Sequence, residues 1–192
     1  FYQLDVEMSF VEQQDVFDVM ENVIGGVFDE FADHTGEKYD VTPAPWPHIA
    51  YDDAMMKYGT DKPDLRNPLE IVDVTEAFDR DDVEFKAFKS IIAKGGVVRA
   101  IRAPSVSDRP RSFFDKLNSW AQGEGAFGLG YITIEDGAGK GPIAKFIPDT
   151  ALEILKEKAG LQDGDAIFFV ADDEGKAASL AGKARTKIAQ DM

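Results

Sequence analysis

The chain has 192 residues, no cysteine and a formal net charge of −15, and its length suits one domain or a small domain with additional segments. The lack of cysteine excludes disulfides and thiolate chemistry. No apolar run approaches the roughly 18 residues that a membrane span needs. A chain this acidic is not expected to bind nucleic acid non-specifically.

Residues 1–10 alternate between apolar and polar side chains, the pattern of a β-strand with two different faces. Gln3, Asp5 and Glu7 share the polar face, spaced about 7 Å apart along it. Such a row suits the wall of a pocket for an ammonium group, which a carboxylate binds and a neighbouring amide orients. The alternative is a solvent-facing edge strand.

No strand precedes residues 1–10 with which they could pair. We therefore expect the chain to be a piece of a larger protein. We also expect this segment to be poorly ordered or to pair with another chain, because an isolated strand leaves its backbone groups unpaired.

The remaining pattern predicts interleaved helices and strands. Residues 12–31 carry apolar side chains at steps of three and four, which predicts a helix with one buried stripe. A proline-rich loop and a short helix ending at Gly59 follow. Further along we expect strands over 69–74, 83–92, 96–103, 127–134 and 166–171, and helices over 111–120, 150–158 and 172–190. This order predicts an α+β fold with the helices on one side of the sheet.

Residues 61–68 combine two prolines with four charged side chains, which predicts a rigid loop. Its charged residues could line a site for an anionic ligand, or they could pair among themselves in a surface turn. The residues in question are Asp61, Lys62, Asp64 and Arg66.

Basic side chains concentrate in residues 86–116, which hold 8 basic and 2 acidic residues, whereas residues 1–85 hold 5 basic and 22 acidic residues. This local excess could contact RNA phosphates. The alternative is a solvated face that balances its acidic surroundings. The candidate RNA contacts are Lys94, Arg99, Arg102 and Arg111.

No catalytic side chain and no metal ligand is predicted. The glycines between residues 123 and 141 lack the Ser or Thr after Lys and the strand–loop–helix setting of a phosphate loop. His34 and His48 are too isolated to suggest a zinc site, and no hydrolase arrangement surrounds either of them.

Residues 1–10 resemble the second strand of motif 2 in bacterial-type aspartyl-tRNA synthetases, a class II family. Residues 58–66 resemble the sequence just before that family's large insertion. The remainder resembles the insertion, called the GAD domain, which is shared with the amidotransferase subunits GatB and GatE. The stretches that support this are 128–132, 142–146 and 164–169.

The resemblance implies three parts. Residues 1–66 would belong to a class II catalytic domain. Residues 67–172 would form a two-layer, DCoH-like GAD domain of the α+β class, with an antiparallel sheet and helices. Residues 173–192 would form a helix that returns to the catalytic domain.

The resemblance also implies an activity for the parent protein. It would activate L-aspartate with ATP and Mg²⁺ to aspartyl-adenylate and transfer the aspartyl group to tRNA-Asp, with tRNA-Asn as an open second substrate. It would be a cytoplasmic homodimer with no membrane partner. Asp5 would hold the substrate ammonium group with Gln3 beside it and Glu7 nearby, and the 61–66 loop would lie near the catalytic region.

The motif 1 helix, the motif 2 arginine and motif 3 have no counterpart in the 192 residues. We therefore expect these residues alone to be inactive and to hold no cofactor. The alternative function is that of a stand-alone GAD-type module that binds RNA or a protein, as in GatB and GatE.

Overall fold

Two units, Phe1–Ile49 and Ala50–Met192, make up the computed structural model, which describes all 192 residues. In the first unit, residues 1–11 form no regular secondary structure, and their side chains are exposed. The strand predicted over residues 1–10 is therefore not formed within this chain. The physical reason is the lack of a neighbouring strand to accept and donate ladder hydrogen bonds.

Helix α1 of the first unit spans Gln13–Glu30 and begins where Asp15 Oδ2 accepts a hydrogen bond from the Glu12 backbone N–H at 2.8 Å. That bond satisfies an N–H group at the start of the helix. The helix lies where the apolar spacing predicts it. The expectation of a buried stripe is wrong for this chain, because α1 has no buried residue.

The second unit contains a five-stranded sheet with the strand order β1-β2-β5-β3-β4, in which every neighbouring pair is antiparallel. A short 3₁₀ turn spans Ala144–Phe146. The strands are β1 Ile71–Asp73, β2 Val97–Ala103, β3 Gly130–Glu135, β4 Ala138–Lys140 and β5 Ala166–Asp172. The helices are α2 Tyr51–Tyr58, α3 Thr75–Phe78, α4 Lys86–Ile92, α5 Arg111–Gly123, α6 Asp149–Ala159 and α7 Glu174–Asp191.

Helices cover both faces of this sheet. On one face, Phe114 of α5 and Ile188 of α7 pack with Phe168 of β5. On the other face, Phe78 of α3 and Leu155 of α6 pack with β5 residue Phe169. The α+β class with an antiparallel sheet is confirmed. The expectation of helices on one side is wrong, because β5 is apolar on both faces and each face has to be removed from water.

One predicted strand is a helix. Residues 83–92 were expected to be extended, but Lys86–Ile92 forms α4. The rings of Phe85 and Phe88 lie edge to face with centroids 4.7 Å apart, and Phe88 reaches Phe169 in the sheet. A short apolar run fits both periods, so its contact with the sheet decides the conformation.

None of the chain's helices combines the length and apolar character that crossing a bilayer requires.

Candidate functional site

Two of the three predicted pocket residues lie together in the structure. The amide Nε2 of Gln3 is 2.9 Å from both carboxylate oxygens of Asp5. Glu7 has no side-chain hydrogen bond and is exposed, as are the other two. The structure thus contains a carboxylate oriented by a neighbouring amide, an arrangement that can bind an ammonium group.

The charged residues of the 61–66 loop pair within the loop. Lys62 Nζ donates to Asp61 Oδ1 at 2.7 Å, and Arg66 Nη2 donates to Asp64 Oδ2 at 2.7 Å. Hydrogen bonds from Arg66 lower the pKa of Asp64 to about 2. The hydrogen bond from Lys62 lowers the pKa of Asp61 in the same direction. Both carboxylates are therefore ionised at neutral pH, and each partly neutralises the charge of its neighbouring cation.

Arg185 of α7 anchors this loop, a role that the sequence pattern does not indicate. Its side chain is 2% exposed and donates hydrogen bonds to the backbone carbonyls of Asp64, Asn67 and Leu69. The guanidinium also lies 4.9 Å from the centroid of the Tyr58 ring. Burial lowers the pKa of this guanidinium.

The anchor was missed because it joins residues that are distant along the chain. Arg185 and Asp64 are separated by 121 positions. The pattern of α7 predicts only a basic residue toward the C-terminal end of a helix, where the helix dipole favours it. No local signal marks a buried arginine whose partners are carbonyls.

The four candidate RNA contacts fall into two groups. Arg99 is 3% exposed and donates to Asp73 Oδ2, while Arg102 Nε donates to Asp165 Oδ2 at 2.7 Å. Both arginines are engaged by carboxylates within the fold. The prediction that Arg99 contacts RNA is wrong, because its guanidinium is buried and an RNA phosphate cannot reach it.

The other two candidates are exposed. Lys94 follows α4 and has no ion pair. Arg111 begins α5, and its Nε lies 3.5 Å from Asp115 Oδ2 with most of the side chain in solvent. The two engaged arginines differ from Lys94 and Arg111, because carboxylates of the second unit already hold their guanidinium groups.

No three His, Asp or Glu side chains of the chain lie together in a way that could hold a metal ion. The acidic residues instead form separate pairs with Lys and Arg along the surface. The chain therefore contributes isolated carboxylates and no assembled metal site of its own.

Comparison with known proteins gives two kinds of match. A family model described as the GAD domain matches residues 88–181. Over its whole length the chain is 58% identical to an aspartate–tRNA(Asp/Asn) ligase of Methylocella silvestris, covering 31% of that protein. The corresponding protein of Methylorubrum extorquens is 60% identical over the whole chain, with 32% of its own length covered.

A third relative, with a lower identity, gives the same result. The aspartate–tRNA(Asp/Asn) ligase of Zymomonas mobilis is 54% identical over 99% of this chain, which covers 31% of that protein. The chain thus spans about a third of the length of the curated relatives it matches.

Proposed function

Because the chain belongs to the bacterial-type aspartyl-tRNA synthetase family and contains its GAD domain, we propose that the whole protein is an aspartate–tRNA ligase. The carboxylate of L-aspartate would displace pyrophosphate from the α-phosphate of ATP to form aspartyl-adenylate, and transfer of the aspartyl group to a hydroxyl of tRNA would then release AMP. The observation that carries this proposal is the 58% identity along the entire chain. The name of that relative supports tRNA-Asp and tRNA-Asn as the two acceptors.

Within this function, the Asp5 carboxylate binds the ammonium group of the substrate aspartate, and the Gln3 amide fixes the orientation of the Asp5 carboxylate. The 2.9 Å contacts from the Gln3 amide to both Asp5 oxygens support this assignment. In the strand that the alternation predicts, Glu7 would follow Asp5 on the same face. Such a site accelerates adenylate formation by holding the substrate in place and by stabilising charge, and it needs no nucleophilic side chain.

The loop of Asp61, Lys62, Asp64 and Arg66 belongs to the catalytic region in this proposal. Arg185 keeps it attached to α7. We assign no ligand to the loop, because its charges are already paired with one another.

The proposed organisation keeps a partial catalytic domain over residues 1–66, the GAD domain over 67–172 and a returning helix over 173–192. The parent would be a cytoplasmic homodimer that uses ATP and Mg²⁺ and has no membrane partner. Mg²⁺ would act on the phosphates of ATP. The side chains of these 192 residues do not assemble a site for Mg²⁺.

An aspartate-dependent ATP–pyrophosphate exchange assay on the full-length protein tests the proposal. We expect exchange with aspartate alone among the standard amino acids, and charging of both tRNA-Asp and tRNA-Asn transcripts. Exchange with a different amino acid, or none, would refute the proposed activity. The 192-residue chain serves as the matched sample, and clear turnover by it would refute our proposal that this segment is inactive alone.

A second candidate function is an RNA- or protein-binding module, and exposed Lys94 and Arg111 favour its RNA version. Charge reversal at these two positions in the full-length protein should weaken tRNA binding and flatten its salt dependence. Arg99 and Arg102 are left unchanged, since reversing either charge would disrupt an internal ion pair. Unchanged tRNA affinity and salt slope would exclude this candidate.

A further inference from the structure

A surface pocket of about 660 Å³ opens beside α4, α5 and the start of β3 in the second unit. Its volume lies within the range of small-molecule sites. Aromatic side chains dominate the lining, and a glycine-rich backbone strip at residues 128–130 completes it. The aromatic residues are Phe85, Phe88, Phe114, Phe127 and Tyr131.

The wall of this pocket depends on two glycines. A Cβ atom at Gly128 would lie 2.6 Å from Asn118 Oδ1, and one at Gly130 would collide with the Ile143 side chain. Asn118 Oδ1 accepts a hydrogen bond from the Leu129 N–H at 2.9 Å. The Asn118 amide nitrogen has no acceptor within the chain and can donate a hydrogen bond to a ligand.

The aromatic residues differ in their exposure. Phe114 and Tyr131 stack in the wall, with ring centroids 4.1 Å apart and planes inclined by 16°. Phe127 contributes to the same pocket but is 90% exposed. Its ring therefore has a free face toward solvent, on which a second planar ring can stack.

One basic and one acidic side chain lie in the lining of this pocket. Arg111 lies in the pocket, and its guanidinium is held only by the 3.5 Å contact to Asp115. Lys86 lines an adjoining groove that shares Phe85 with the pocket. Phe146 also lines that groove, and Lys145 Nζ lies 4.9 Å from the centroid of its ring.

From this combination we propose that the pocket binds one unstacked base of a single-stranded RNA segment. Phe127 stacks on the base, the Asn118 amide donates to its edge, and Arg111 contacts the adjoining phosphate. Aromatic faces beside cationic side chains characterise sites for single-stranded nucleic acid. The site lies in the GAD domain and is separate from the aspartate pocket, so it does not depend on the proposed catalysis. An aromatic side chain of a partner protein is the competing occupant, but it brings no phosphate for Arg111.

Fluorescence anisotropy of a short fluorescein-labelled, mixed-sequence RNA titrated with the 192-residue chain tests the site. The same sequence as a duplex is the nucleic-acid control. Phe127→Ala should weaken binding of the single strand about tenfold. Arg111→Gln should weaken it and reduce the salt slope by about one. Both side chains are on the surface, so thermal unfolding of the two variants should match the parent chain.

Matched variants outside the pocket give the comparison. Phe10→Ala removes an equally exposed aromatic ring, and Lys57→Gln removes one exposed charge. Both should bind like the parent chain. The proposal is overturned if the single strand binds no better than the duplex, if Phe127→Ala and Arg111→Gln retain full affinity, or if the controls lose as much. Displacement of the RNA by N-acetylphenylalaninamide but not by uridine monophosphate would likewise overturn it in favour of the protein partner.

Discussion

Gly59 and Gly182 lie with their backbones in direct contact. A Cβ atom added at Gly59 would stand 2.6 Å from the Gly182 nitrogen, and one added at Gly182 would stand 2.8 Å from the Gly59 carbonyl oxygen. Gly59 also ends α2 in the left-handed region with a φ of 68°. The end of α2 and the middle of α7 are thus packed without side chains between them, immediately before the 61–66 loop.

This contact predicts opposite effects for two substitutions in the same helix. Gly182→Ala should lower the free energy of unfolding by about 1–3 kcal/mol, because the new methyl group has no space. Gly175→Ala, where nothing lies within 4 Å of the added atom, should raise it by up to about 1 kcal/mol. Urea unfolding measures both. Equal stability of the two variants would contradict the close packing of Gly182.

Loss of the buried Arg185 guanidinium should lower the free energy of unfolding more than Gly182→Ala does. Arg185→Met leaves the carbonyls of Asp64, Asn67 and Leu69 without their donor, so the free energy of unfolding should fall by about 3 kcal/mol or more. Amide hydrogen exchange of residues 64–69 should accelerate in parallel. In the control, Lys183→Met, an exposed ion pair with Glu124 is lost, and stability should change by no more than about 0.5 kcal/mol.

The negative charge of the Asp165 carboxylate is expected to contribute to the free energy of unfolding of the second unit. It accepts hydrogen bonds from Arg102 Nε and from the backbone N–H groups of Ser105 and Gln162. Asp165→Asn keeps the size but removes the charge and replaces one acceptor with a donor. The free energy of unfolding should fall by about 2–4 kcal/mol. Asp108→Asn, at an exposed position, should leave it unchanged within about 0.5 kcal/mol.

The pairing of Asp64 with Arg66 predicts an acid-range titration. The carboxyl pKa of about 2 lies below the ordinary value of 3.8. A depressed folded-state pKa stabilises the fold above the ordinary value, and this contribution disappears as the pH falls toward 2. Carboxyl NMR chemical shifts should show Asp64 titrating near pH 2, and near its ordinary value in Arg66→Gln. An unchanged titration in Arg66→Gln, or an equal shift in Lys62→Gln, would disprove the assigned cause.

Local patterns predicted most elements of the second unit. The strand predicted over residues 96–103 appears as β2, and the helix predicted over 111–120 appears as the somewhat longer α5. The strand predicted over residues 83–92 is wrong, because their short apolar run fits both the helical period and the strand period. The coverage of both sheet faces was missed because the continuous apolar run of β5 was not recognised as a strand buried on both sides.

The candidate site was predicted less completely than the fold. Period-two spacing predicts Gln3 and Asp5 on one face of a strand, which does not form in this chain. Their side chains are hydrogen-bonded to each other while exposed, and their place in an aspartate pocket stays a prediction. Charge density alone could not separate exposed Arg111 from buried Arg99. The partners that bury Arg99, Asp73 and Glu174, lie on distant elements, whereas Arg111 pairs with Asp115 one turn along the same helix. The Arg185 anchor depends on contacts across the chain and has no local signature.

Substitution of Asp5 in the full-length protein tests the central claim most directly. Asp5→Ala removes the proposed partner of the substrate ammonium group, and kcat/KM for aspartate in ATP–pyrophosphate exchange should fall about 100-fold or more. Asp29→Ala, at an exposed position of α1, should retain the parent value. Exchange by the Asp5→Ala enzyme at the unchanged kcat/KM would contradict the assignment of this carboxylate to the aspartate pocket.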